Sequence, residues 1–214
     1  MFTGIIQEIG KVREVRNLGG GVRLTIEAPH SAEQLRVNDS IAINGVCQTV
    51  IERNASSFVV EAVEETLAKT TLGELAPDSS VNLELALQLS DRIGGHLVLG
   101  HVDCVGVIRQ IVPRTNSWII EIEIPQQYTK YLIPVGSIAV DGISLTVASI
   151  GGSTIGISVI PHTMQNTTLS SARAETRVNL EFDIIGKYVE RLTLMSRGEA
   201  SLTRDKLREW GYDE

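Results

Sequence analysis

The chain has 214 residues, 43% of them hydrophobic, which is enough to bury two modest cores. A net charge of −7 and an aromatic content of only 4% exclude the basic face and the stacking platforms that a nucleic-acid partner needs. No apolar run reaches the length of about 20 residues that a membrane-spanning helix requires, and two cysteines, Cys47 and Cys104, make no disulfide framework, which fits a reducing cytoplasm.

Met1–Glu8 has no basic stretch and no cleavage pattern, so no secretion signal is expected. Short strands follow. Val22–Ile26 alternates with period two after the turn Gly19-Gly20-Gly21, as do Phe58–Val63 and Trp118–Ile124. Glu52-Arg53-Asn54, Pro77-Asp78-Ser79 and Gly151-Gly152 supply turns between strands, and brief helical turns are expected around Ala32–Leu35, Thr66–Leu72 and Gln127–Tyr131. Many short strands without long helices between them predict small antiparallel barrels, an all-β class. Near the end the period changes. Tyr188, Leu192 and Met195 fall on one helix face, which predicts an amphipathic helix over Lys187–Arg197, ended by Gly198. Ser201 is placed to cap a last helix, Leu202–Trp210, stopped by Gly211.

The chain is written twice. Ser40–Val50 returns as Ser137–Val147, an offset of 97 residues. In the same register Thr66, Thr70, Thr71 and Leu72 match Thr163, Thr167, Thr168 and Leu169, and Val81–Glu84 matches Val178–Glu181. A unit of that size suits a small domain and is too long for a solenoid repeat. The expected boundaries are residues 1–97, 98–186 and 187–214, the last a helical segment for oligomerisation.

Candidate chemistry sits where the copies diverge. Aligning Gly4 with Gly100 pairs Ile5 with His101 and Ile6 with Val102, while Cys47 pairs with Ser144 and Thr49 with Thr146. The first copy thus has Ile5 and Cys47 where the second has His101 and Ser144, as expected if two similar ligands are treated differently. Taken alone, Cys47 reads as a small buried hydrophobe and the Thr66 and Thr163 segments as turn chemistry. His101 follows a glycine that lets backbone approach a ligand. His96, His101 and Cys104 have a zinc-like spacing, but in an extended strand they would face opposite sides, so no metal is expected. Neither a phosphate loop nor a G-x-S-x-G elbow is present.

Together these segments resemble the riboflavin synthase family. The residues that carry the resemblance are Met1–Ile6, Asn44–Val50, Gly94–Asp103, Val140–Val147 and Ile160–Thr163, and the match extends over about residues 1–192. The resemblance implies two tandem six-stranded Greek-key β-barrels and a C-terminal α-helix that joins three chains into a homotrimer. It implies dismutation of two 6,7-dimethyl-8-ribityllumazine molecules per active site by transfer of a four-carbon unit, giving riboflavin and 5-amino-6-ribitylaminouracil without a cofactor or metal. Lumazine synthase is implied as a further protein partner. The site would lie between the N-terminal barrel of one chain and the C-terminal barrel of its neighbour.

By position, ligand contacts fall on Gly4, Ile5 and Ile6, on Cys47, Gln48 and Thr49, and on Glu61, Ala62, Val63, Glu64, Glu65 and Thr66. They continue on Gly100, His101 and Val102, on Ser144, Leu145 and Thr146, and on Val159, Ile160, Pro161, His162, Thr163 and Met164. Val135 stands where the family commonly has Lys, and Gln48 where it commonly has Leu. Ser40, Cys47, His101, Thr146 and Asp183 match positions at or near the chemistry, with His101 implied in proton transfer, Cys47 or Ser40 in polarising or adding to the acceptor ring, and Thr49 and Thr146 in hydrogen-bonding the ring edges. The rival readings are a non-catalytic lumazine-binding antenna protein of the same architecture and a flavin-dependent oxidoreductase barrel. The second would need a nucleotide-binding domain for which this length leaves no room.

Overall fold

A computed structural model describes residues 1–199 together with Arg208, Trp210 and Gly211. Six strands form the first barrel: β1 (Glu8–Asn17), β2 (Gly21–Glu27), β3 (Ser40–Ile43), β4 (Val46–Arg53), β5 (Ser57–Val63) and β6 (Ser80–Leu85). They close in the order β1-β2-β5-β4-β3-β6 with every pair antiparallel. β7 (Cys104–Pro113), β8 (Trp118–Glu123), β9 (Ser137–Val140), β10 (Ile143–Gly151), β11 (Thr154–Val159) and β12 (Arg177–Phe182) close by the same circuit. The two tandem barrels expected from the repeat are therefore present. Even the irregularities repeat: bulges break the register at Val12/Glu14 and Ile108/Gln110, and at Val50/Glu52 and Val147/Ser149. Such bulges bend strands around a closed barrel.

Alternation fills each interior. Leu24, Ile26, Ile41, Phe58, Val60 and Leu83 are fully buried in the first barrel, and Ile108, Ile138, Ile155, Ile157 and Leu180 in the second. Each such side chain contributes about 1.5–3 kcal/mol by leaving water. The short helical turns also occur where expected, as α1 (Pro29–Gln34), α2 (Glu64–Lys69), a 3-10 turn over Thr71–Glu74 and another over Gln126–Tyr131.

A quasi-twofold seam joins the barrels. Asn82 and Asn179 are wholly buried, and each amide spans it: Asn82 Nδ2 donates to the Asp141 carbonyl (3.0 Å) and Asn179 Nδ2 to the Asn44 carbonyl (2.9 Å). Their Oδ1 atoms accept from Thr168 N and Thr71 N, both at 2.8 Å. Gly45 and Gly142 meet back to back at the same seam, with φ of 76° and 79°. A Cβ on Gly45 would stand 2.6 Å from the Gly142 nitrogen, so only glycine lets the barrels approach this closely. Asn44 and Asp141 occupy equivalent left-handed positions, but Asp141 brings a buried carboxyl where its mate brings an amide.

The chain after Asp183 forms a separate unit built on a further helix (Ile184–Glu199), which begins earlier than the expected Lys187. The expectation that Gly198 ends this helix is not met, because the helix runs through it to Glu199. A single glycine costs about 1 kcal/mol in a helix and does not by itself stop one. Tyr188, Leu192 and Met195 are exposed. The second helix expected over Leu202–Trp210 lies, apart from Arg208 and Trp210, outside the described residues.

Candidate functional site

Two short arms, one preceding each barrel, build the sites. The arm Met1–Gly4 pairs with the linker through Phe2 and Val98, whose backbone bonds measure 2.7 and 3.1 Å. Thr3 N, Thr3 Oγ1 and Gly4 N all donate to the buried carboxylate of Glu84 on β6, at 2.6, 2.7 and 2.9 Å. The second arm repeats this: Leu99, Gly100 and His101 N donate to Glu181 on β12, at 2.7, 2.9 and 3.0 Å. Burial raises the pKa of Glu84, and the bonds from Thr3, Gly4 and Ile5 oppose that rise.

Each arm is clamped by one barrel and laid against the other. The Gly4 carbonyl accepts from Ser144 N of the second barrel (2.8 Å), and the Gly100 carbonyl accepts from Cys47 N of the first (2.9 Å). The pairing read from sequence order is thereby corrected. Sequence order sets Ile5 beside Cys47 and His101 beside Ser144; the fold exchanges them, because the Glu84 and Glu181 clamps carry each arm across the seam.

Two homologous pockets result, sharing no lining residue. The first, about 310 Å³, is lined by Val46, Cys47, Val63, Glu65, Thr66, Lys69, Thr70, Gly100, His101 and Val102. The second, about 130 Å³, is lined by Ile143, Ser144, His162, Thr163, Asn166 and Thr167 together with Gly4, Ile5 and Ile6. They differ chemically. The first carries a thiol, an imidazole and the Glu65–Lys69 ion pair (2.7 Å); the second has a hydroxyl, the apolar Ile5, and His162 with Asn166 in place of the ion pair.

The remaining predicted residues fall in several places. Thr49 and Thr146 are exposed at the next outward position on β4 and β10 and line neither pocket. Ser40 faces a different cavity, of about 420 Å³, with Arg36, Asp39 and Gln88. Ala62, Val159, Met164 and Leu145 are buried in the barrel cores. Glu61 is held on the outer wall by Arg23, with contacts of 2.7 and 2.9 Å, and Glu64 is exposed at the start of α2. Ile160 and Pro161 are exposed where a third helix, α3 (Pro161–Gln165), begins. Val135 is outside both pockets, 79% exposed and left-handed at φ 62°, a strained conformation for a β-branched residue. Asn38 holds the equivalent turn of the first copy at φ 77°.

Gln48 does not line the first pocket. It is turned into the first barrel, its Nε2 donates to the Cys47 carbonyl (2.7 Å), and its buried Oε1 has no hydrogen-bond partner among the described residues. Leu145 fills the equivalent place in the second barrel. Gln48→Leu is therefore expected to raise stability by about 1–3 kcal/mol, the cost of an unsatisfied buried polar group, read as a higher urea midpoint. An unchanged or lower midpoint would contradict this.

The residue missed in the sequence is His96. Its Nδ1 lies 2.7 Å from Ser144 Oγ, so the linker brings an imidazole, in addition to that of His162, against the hydroxyl of the second pocket. Burial pulls the His96 pKa down, and the charge of Asp183 opposes that shift. Gly95 makes the approach possible, since a Cβ there would stand 2.2 Å from the Thr3 carbonyl and 2.6 Å from Ser144 Cβ. Glu84 and Glu181 carried a readable signal, a carboxylate repeated within an apolar strand.

The lumazine binding domain family matches residues 3–86 and 99–183. The chain is 40% identical to the riboflavin synthase of Actinobacillus pleuropneumoniae, over 99% of this chain and all of that one. Identity to the riboflavin synthase of Mycobacterium tuberculosis is 46%, over 90% of this chain and 98% of the other. Among solved structures, LumP complexed with 6,7-dimethyl-8-(1'-D-ribityl) lumazine superposes with a TM-score of 0.77 at 22% identity, over 85% of this chain and 98% of that one. LumP complexed with riboflavin gives 0.79, also at 22% identity, over 85% of this chain and 99% of that one, a likeness of fold. Two matched domains on the two barrels, and full-length relatives at this identity, place the chain in the riboflavin synthase family of duplicated lumazine-binding domains.

Proposed function

We propose that the protein is a riboflavin synthase that dismutates two molecules of 6,7-dimethyl-8-ribityllumazine into riboflavin and 5-amino-6-ribitylaminouracil. One observation carries the reading: each chain has two homologous pockets made chemically unlike, one with Cys47 and His101, the other with Ile5, Ser144 and His162. A reaction between two copies of one molecule needs two matching sites that treat them differently. Holding both rings in contact offsets about 7–11 kcal/mol of the barrier.

Because the pockets share no residue, the two lumazines meet when the first pocket of one chain faces the second pocket of another. Assembly as a homotrimer through the Ile184–Glu199 helix, whose Tyr188, Leu192 and Met195 are exposed, supplies that arrangement. Thr49 and Thr146, exposed beside the pockets, then hydrogen-bond the ring edges. His101 takes the acidic proton of the C7 methyl group from the lumazine in the first pocket; Cys47, expected from the resemblance to polarise the acceptor ring, lines that same pocket and on this reading acts on the ring that loses the proton. On this reading the enzyme works in the cytoplasm, with lumazine synthase as a further partner.

Incubation with the lumazine tests the reading directly. The expected result is riboflavin absorbance and fluorescence growing in, with two lumazines consumed for each riboflavin formed. Lumazine bound without conversion would support the antenna reading instead.

A further inference from the structure

The seam between the barrels opens into a cavity of about 350 Å³, within the range of small-molecule sites. It shares no residue with either barrel pocket, although Thr71 and Thr168 line it and their neighbours Thr70 and Thr167 line one pocket each. Both copies contribute to its inner wall. Asn44, Thr71 and Asp141 stand there, each only 7% exposed. Asn44 Oδ1 accepts from Asn82 N (2.8 Å), which turns its Nδ2 donor the other way, and Asp141 Oδ1 accepts from Asn179 N (2.7 Å). Among the described residues, nothing hydrogen-bonds to Asn44 Nδ2, Asp141 Oδ2 or Thr71 Oγ1. None of these atoms is sealed in as Gln48 Oε1 is, so they open onto the cavity.

Their chemistry selects the ligand. Glu74 is taken up by Arg177 across the seam (3.1 Å), and Glu175 by Arg109 (2.6 and 2.8 Å). The charges at the rim therefore pair off, and Asp141, deeper in, turns anions away. The amide hydrogens of Asn44, facing the same space, repel a cation. No aromatic side chain among the described residues lines the cavity, so a planar heterocycle has nothing to stack on. A hydroxyl suits all three groups at once, since it donates to a carboxylate, accepts from an amide N–H and does either with a threonine. We propose that the seam cavity binds a small polyhydroxylated molecule, a sugar alcohol, whose hydroxyls donate to Asp141 Oδ2, accept from Asn44 Nδ2 and exchange hydrogen bonds with Thr71 and Thr168. Such a ligand supplies the partners that buried polar groups need. The site is separate from the reaction proposed above and does not depend on it.

Titration calorimetry with xylitol at pH 8 decides this, on the parent, Asp141→Asn and Thr71→Val. At that pH Asp141 is ionised, since burial raises its pKa only to about 7. Asp141→Asn keeps an Oδ1 acceptor for Asn179 N but turns the cavity-facing oxygen into a donor. Thr71→Val keeps the volume and loses the hydroxyl. Expected are a parent Kd on the order of 1 mM with one xylitol per chain, and binding about tenfold or more weaker in each variant. Saturating riboflavin, directed at the barrel pockets, should leave the xylitol heat in place. No heat up to about 50 mM xylitol, which means a cavity filled by water alone, would overturn the proposal. So would an unchanged Kd in either folded variant, displacement by riboflavin, which puts xylitol in a barrel pocket, or displacement by potassium chloride, which makes this a cation site. Urea midpoints check folding; Thr168→Val replaces Thr71→Val if that variant does not fold, with the same expected loss.

Discussion

His101→Gln is expected to lower kcat by about 100- to 10,000-fold, the range supplied by a positioned general base, while lumazine affinity changes less than about threefold. The reason is positional. The His101 backbone is fixed by its bond to Glu181 at 3.0 Å, and the flanking Gly100 carbonyl is tied to Cys47 N at 2.9 Å. A glutamine inherits both anchors, so the arm stays in place and the pocket keeps its shape. What is lost is the imidazole proposed to take the C7-methyl proton. Single-turnover rates beside equilibrium binding separate the two effects; parallel loss of binding and turnover would count against a role in proton transfer.

Asp141→Asn is expected to stabilise the protein at neutral and alkaline pH. The side chain is 7% exposed, its Oδ1 accepts from Asn179 N at 2.7 Å, and burial pushes its pKa up from 3.8 to about 7. The folded protein therefore holds a proton that the unfolded chain releases at 3.8. Stability is full below that value and is lost as pH rises through about 7. At about 1.4 kcal/mol per pH unit, the loss amounts to as much as about 4 kcal/mol. Asparagine removes it without breaking the seam, since Asn44 already accepts from Asn82 N (2.8 Å) at the equivalent position. Urea midpoints should converge near pH 4 and favour the variant at about pH 8. Equal pH dependence of parent and variant would contradict the burial of a titrating carboxyl at this seam.

Much of the architecture was readable from the repeat. Ser40–Val50 and Ser137–Val147 announce two like domains, and the period-two runs in β2, β5 and β8 announce strands. The membership of the pockets was only partly readable. Gly4–Ile6, Cys47, Thr66, Gly100–Val102, Ser144 and Thr163 do line them, but their grouping depends on which barrel each arm lies against. Chain order cannot decide that; the seam amides of Asn82 and Asn179 and the clamps at Glu84 and Glu181 do. Alternation turned Thr49 and Thr146 outward but could not say that Ser40 faces another cavity. His96 was hidden because its partner Ser144 is 48 positions away, joined only once the linker folds back.

The central claim is that each chain carries two unlike half-sites, completed by another chain. Mixing His101→Gln chains with Ser144→Ala chains, after unfolding and joint refolding, tests it most directly. Some sites in the mixed assembly then combine an intact first pocket from one variant with an intact second pocket from the other. The account predicts riboflavin formation well above that of either variant refolded alone. Activity no greater than the average of the two would mean that both lumazines react within one chain.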